Sequence, residues 1–132
     1  ELVEKEMKAA DGNTAAEKVI NVCERILNFS ESHTAHYHLL FASELKGYTP
    51  SDKAIEAGKN VFTTLATLTA TLAKKDLSVE EKQDMAMQIW ALNHGYITLN
   101  QHEISSRITW NDWKDRALQA IRLHVYAIVA TQ

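Results

Sequence analysis

One proline and four glycines are all that interrupt 132 residues, and this scarcity of helix breakers is the strongest constraint on what the chain can become. Proline removes a backbone donor and glycine weakens a helix interior by about 1 kcal/mol, so both gather where helices stop. Between Gly12, Gly47, Pro50, Gly58 and Gly95 the chain is rich in Ala, Leu, Glu, Lys and Gln, residues that lose little freedom in a helix. An all-α fold follows. With 45% apolar and 23% charged residues, the length suits one domain with a real core and not two. Residues 1–132 therefore read as a single domain.

Capping residues divide the chain, because a short polar side chain before a helix satisfies orphan backbone N–H groups and an acid in the first turn suits the dipole. Thr49 precedes Pro50 and Asp52, Ser78 and Glu81 form an S-x-x-E box, Thr109 and Asp112 make a similar pair, and Ser30 is followed directly by Glu31. Asp11-Gly12-Asn13 and Gly47-Tyr48 supply breaks. The punctuation predicts six helices, over 1–10, 14–29, 31–46, 50–75, 79–105 and 110–131, in an orthogonal or antiparallel bundle with short connections.

Helical periodicity assigns faces. On the fifth helix Met85, Ile89, Leu92, Tyr96 and Leu99 share one stripe, while Met87, Trp90, His94, Ile97 and Gln101 share nearly the opposite one. Both sides should then be covered, with Asn93 and Asn100 marking the strip that meets water. The sixth helix has a broad apolar face formed by Trp110, Trp113, Ala117, Ala120, Ile121, His124, Val125 and Ile128, opposite Asp115, Gln119 and Arg122. Two broad-faced helices exceed the needs of one small core, and large apolar patches are rare on monomers, so a homodimer is expected. Its contact is predicted to use Ala91, Gly95 and Thr98 together with Trp113, Ala117, Ile121, His124 and Ile128. The alternative is that the shorter helices shield this surface.

A formal charge of −3 with scattered basic residues lacks the footprint of a domain that grips phosphates. Cys23 is the only cysteine, which excludes an internal disulfide and fits a reducing compartment, so a cytoplasmic location is expected. No run reaches membrane-spanning length, and no secretory leader pattern is visible. No membrane association is expected.

Motifs for catalysis are missing. The patch "HTAHYH" holds His33, His36 and His38, but on a helix His38 points away from the other two and no acid completes a facial set. The H-E-x-x-H and E-x-x-H patterns, the Walker loop and the G-x-S-x-G elbow are likewise absent. Neither an enzyme, a metal site nor a cofactor is therefore expected. Tyr37, Phe41, Phe62, Leu65, Thr69, Trp90 and His94 instead make an apolar and aromatic set with a few hydrogen-bonding groups, the composition of a small-molecule pocket between helices. The same composition describes a core, and both readings stay open.

Two segments resemble a known family. "SHTAHYHLLFASEL", Ser32 to Leu45, resembles a helical segment of TetR-family transcriptional regulators, and "IWALNHGYITL" resembles the W-x-x-x-H-G signature of one group of their C-terminal domains, here Trp90, His94 and Gly95. The resemblance implies an effector-binding and dimerisation domain whose last two long helices form a four-helix bundle with a second subunit. It implies a small hydrophobic or amphipathic effector that controls operator DNA binding allosterically, most simply as a repressor. It also makes residues 1–10 the end of a linking helix from a helix-turn-helix module that is absent before Asp11. The alternatives are a free-standing dimeric small-molecule-binding protein and a small helical enzyme. His94 reads equally as a ligand contact or as a core histidine bonded to a carbonyl, and Gly95 as a site of close helix packing.

Overall fold

The structure is a computed structural model that describes residues 14–35, 37, 51–101 and 112–131. The described residues form four helices and no strand: α1 (Ala15–Ser32), α2 (Asp52–Ala70), α3 (Val79–Gln101) and α4 (Trp113–Ala130). The all-α expectation holds for them. The predicted helix over 1–10, most of that over 31–46, and Thr49, Pro50, Thr109 and Trp110 lie outside the described residues.

Caps explain most of the boundaries. Thr14 begins α1 by accepting a hydrogen bond from the Glu17 backbone N–H at 3.1 Å. The Ser78–Glu81 box forms in both directions, each side chain accepting from the other residue's N–H at 3.1 Å. Ser78→Ala is expected to lower the unfolding free energy by about 1 kcal/mol, read as a shifted urea midpoint at unchanged slope. An unmoved midpoint would show that the turn before α3 is held by something else.

Three boundaries depart from expectation. Ser30 does not cap a new helix: it is buried, its hydroxyl donates to the Leu27 carbonyl at 2.7 Å, and α1 runs on to Ser32. A serine that bonds back to its own helix continues it rather than starting another. α2 stops at Ala70 rather than near 75, because Thr71, Leu72 and Ala73 bond to carbonyls three residues back and tighten the last turn while Leu72 tucks into the core. Asp112 stands at the α4 cap position, but its carboxylate accepts from Arg116 Nε at 2.7 Å and makes no capping bond.

The helices pack as two pairs, α1 against α4 and α2 against α3, joined chiefly along α3 and α4, while α1 meets α2 and α3 more sparingly. Val19, Cys23, Ile26 and Leu27 of α1 share the core with Val61 and Leu65 of α2, Ile89 and Ile97 of α3, and Ile121 and Val125 of α4. Burying each large aliphatic side chain contributes roughly 1.5–3 kcal/mol. Polar clamps fix the register of α1 on α4. Lys114 Nζ reaches Glu31 at 2.8 Å near one end, and near the other Glu17 accepts from Arg122 at 3.2 Å and from the Tyr126 hydroxyl at 2.7 Å. The ion pairs are half-exposed and so add at most about 1 kcal/mol each; their role is alignment.

The predicted faces of α3 need correction. The buried line runs Ala86, Ile89, Asn93, Ile97, between the two expected stripes, and it includes the asparagine expected in water. Met87 and Leu99, one from each expected stripe, are 52% and 51% exposed. α3 is thus covered on one side within the described chain. On α4 the expected face is correct: Trp113, Ala117, Ile121, Val125 and Ile128 are buried, and Asp115, Gln119 and Arg122 are exposed.

Candidate functional site

The end of α1 is tied down by its own side chains. His33 donates its backbone N–H to Phe29 O at 2.8 Å and stacks on the Phe29 ring at 5.0 Å, and the Thr34 hydroxyl donates to Ser30 O at 3.1 Å. Tyr37 N–H then donates to His33 O at 3.0 Å. This turn delivers the Tyr37 ring, 1% exposed, against the middle of α3.

There Tyr37 meets the signature residues. Its hydroxyl and His94 Nδ1 share a hydrogen bond of 2.7 Å, and the two rings stack at 5.9 Å with an interplanar angle of 25°. Trp90 lies one turn before His94 on the same face and stacks on it at 6.0 Å and 16°. Burial raises the Tyr37 hydroxyl above the ordinary phenol range, so at neutral pH it keeps its proton. Three rings from two elements thus form one layer with a hydrogen bond at its centre. This provides flat apolar walls with a directional polar group, the equipment of recognition.

The rest of the expected pocket set divides. Leu65 and Thr69 are fully buried on the core face of α2, and the Thr69 hydroxyl donates to Ala66 O at 3.1 Å, on its own helix. Phe62 is half-buried on a different strip, where with Ala66, Val79 and Gln83 it lines a surface groove of about 290 Å³. Phe41 lies outside the described residues. The structure therefore joins Tyr37, Trp90 and His94 and separates Phe62 from Leu65 and Thr69.

The expected dimer contact also divides. Trp113, Ala117, Ile121 and Ile128 are buried inside the chain itself, so they are unavailable to a second copy: α1 and α3 already cover this face of α4. Ala91 and Thr98 are exposed and Gly95 is partly so, with nothing within 4 Å of where a Cβ would stand. His124 is half-buried and its Nε2 bonds Gln88 Oε1 at 2.8 Å, tying α4 to α3. Gly95 is therefore not a close-packing site within the described chain. Apolar side chains outside the expected contact are also left exposed: Met87 and Leu99 on α3, and Leu123, 69% exposed, on α4.

Asn93 was the main residue missed. Its carboxamide is fully buried, and its only sequence signal is its place four residues after Ile89 and four before Ile97. Among the described residues no three His, Cys, Asp or Glu side chains gather as a metal site would require, while His36 and His38 lie outside them. No described helix is long and apolar enough to cross a membrane.

Fold and site together define a class: a domain whose described residues are helical, with a polar–aromatic layer between elements and with α3 keeping one apolar side uncovered. Residues 19–120 match the family model described as Tetracyclin repressor-like, C-terminal domain. The chain belongs to this TetR-like family, whose C-terminal domains are regulatory rather than enzymatic. No curated protein and no solved structure matches it.

Proposed function

We propose that this domain is the effector-binding and dimerisation part of a cytoplasmic TetR-like repressor, in which a small hydrophobic or amphipathic molecule weakens operator binding allosterically. The family match over residues 19–120 carries this reading. The layer of Tyr37, Trp90 and His94 supports the ligand role, since it offers stacking surface and hydrogen-bonding atoms between α1 and α3. In such a regulator a helix-turn-helix module, linked to this domain, contacts the DNA. The effector must prefer one arrangement of that link, with a coupling of about 1–3 kcal/mol.

The uncovered surface of α3 and α4 supports a homodimer built as a four-helix bundle. Met87, Ala91, Gly95 and Thr98 follow one another along α3 at helical spacing, and Leu123 and Ala127 continue the surface on α4. Sedimentation of the chain is expected to show a dimer. Leu123→Glu is expected to shift it to monomer, because a carboxylate would be buried without a partner at the contact. Gly95→Ala separates the two states: in the monomer it adds about 0.8–1 kcal/mol of helix stability, while in a close dimer contact the new methyl weakens association. A monomer at all concentrations, with Gly95→Ala only stabilising, would sink the dimer. For the ligand role, an uncharged compound library screened by thermal shift is expected to yield stabilisers that Tyr37→Phe and His94→Ala weaken; a library with no stabiliser would remove the effector role.

A further inference from the structure

Three buried polar side chains occur among the described residues, and two are satisfied on their own helices. The Ser30 hydroxyl donates to Leu27 O at 2.7 Å and the Thr69 hydroxyl to Ala66 O at 3.1 Å. Asn93 differs. Its Nδ2 donates to Ile89 O at 3.1 Å, which points Oδ1 off the helix, and Oδ1 meets no donor among the described residues. The carboxamide lies beside the Cys23 thiol of α1, itself fully buried, on the buried line between Ile89 and Ile97. A buried acceptor without a donor destabilises the fold, and native proteins keep few of them.

The location gives this acceptor a use. It stands one residue from His94 and one turn from Trp90, on the α1–α3 seam, where α1 packs more sparingly than it does on α4. No Asp, Glu, Lys or Arg side chain is buried among the described residues, so no fixed charge there would offset an ion taken out of water. We infer that Asn93 is a ligand-anchoring residue whose Oδ1 accepts a hydrogen bond from an uncharged, flat, largely apolar molecule carrying one hydroxyl or N–H donor. This rests on the ligand-binding reading and narrows it, since it disfavours cations, carboxylates and molecules with acceptors alone. The bound donor restores the missing hydrogen bond, and the rings of Trp90 and His94 flank the apolar body.

Indole and 1-benzofuran test this on the full chain, because they match in shape and differ in one N–H donor replaced by an ether oxygen. Indole is expected to bind saturably, to shift the Asn93 side-chain amide resonances, and to bind roughly tenfold or more tightly than benzofuran. Asn93→Leu, close to Asn in volume, is expected to raise the melting temperature, because the orphan acceptor is gone, and to abolish the preference for indole. Asn93→Ser keeps an acceptor and should retain part of that preference, which guards against a leucine variant that repacks.

Equal binding of the two compounds, or an indole preference that survives Asn93→Leu, would overturn the assignment. A lower melting temperature for Asn93→Leu together with no indole binding would also overturn it, leaving Asn93 as the partner of an ordered water. These failures differ from failure of the effector role: if the compound library yields a stabiliser that Asn93→Leu still binds, the ligand site stands and the role of Asn93 falls.

Discussion

Ile121→Ala is expected to lower the unfolding free energy by about 2–5 kcal/mol, a large part of the 5–15 kcal/mol typical of a domain this size. Ile121 is fully buried where α4 meets α1, and truncation leaves a hole that surrounding helices fill only in part. Leu123, two residues on and 69% exposed, is the control: Leu123→Ala should change monomer stability by no more than about 0.5 kcal/mol. Urea unfolding at low protein concentration measures both without a contribution from association. Similar losses at the two positions would mean that α4 is rotated from the placement described here.

The second large effect is a loss of stability in alkali. Burial pushes the Cys23 thiol from 9.0 up to about 12, with the nearby Asn93 amide opposing the shift, and burial also raises the Tyr37 hydroxyl above 10.0. Both groups are neutral when protonated, and the folded state holds the proton more tightly. Below pH 9 each is protonated in both states and its full stabilisation is present. Above that the unfolded chain releases the Cys23 proton first, so stability falls by about 1.4 kcal/mol per pH unit, and by roughly twice that once Tyr37 joins above pH 10. For Cys23 alone the loss reaches about 4 kcal/mol by pH 12. Cys23→Ala has no thiol to ionise. It should start less stable than the parent at pH 8 through lost packing and gain on it by about 2–3 kcal/mol by pH 11. A constant difference between the two proteins across that range would show that the thiol is not held in the apolar core.

Much of the fold is legible in the sequence. The reciprocal Ser78–Glu81 cap forms because both partners are local, three residues apart, and need nothing from the rest of the chain. The inward face of α4 was readable because its apolar residues fall on one side and Asp115, Gln119 and Arg122 on the other. α3 was not readable in the same way. Apolar residues surround most of its circumference, so periodicity offered two stripes and the buried line fell between them, through Asn93. The site shows the same division. Trp90 and His94 are one turn apart, so their stacking follows from helix geometry, whereas the bond to Tyr37, 57 residues earlier in the chain, needs the turn at His33 and the packing of α1 on α3.

The sequence by itself determined the secondary structure class, the local caps and the family resemblance, since these depend on backbone propensity and on residues within a turn of one another. Only the tertiary structure decided that Ile121 and Trp113 face α1 rather than a second copy, that Leu123 and Met87 are left uncovered, and that the Asn93 carboxamide is shut into the core with an acceptor unused. The physical reason is that burial is a property of pairs of surfaces. A helix carries its apolar stripe in its sequence, but which neighbour covers that stripe depends on how every other helix meets its own demand for contact.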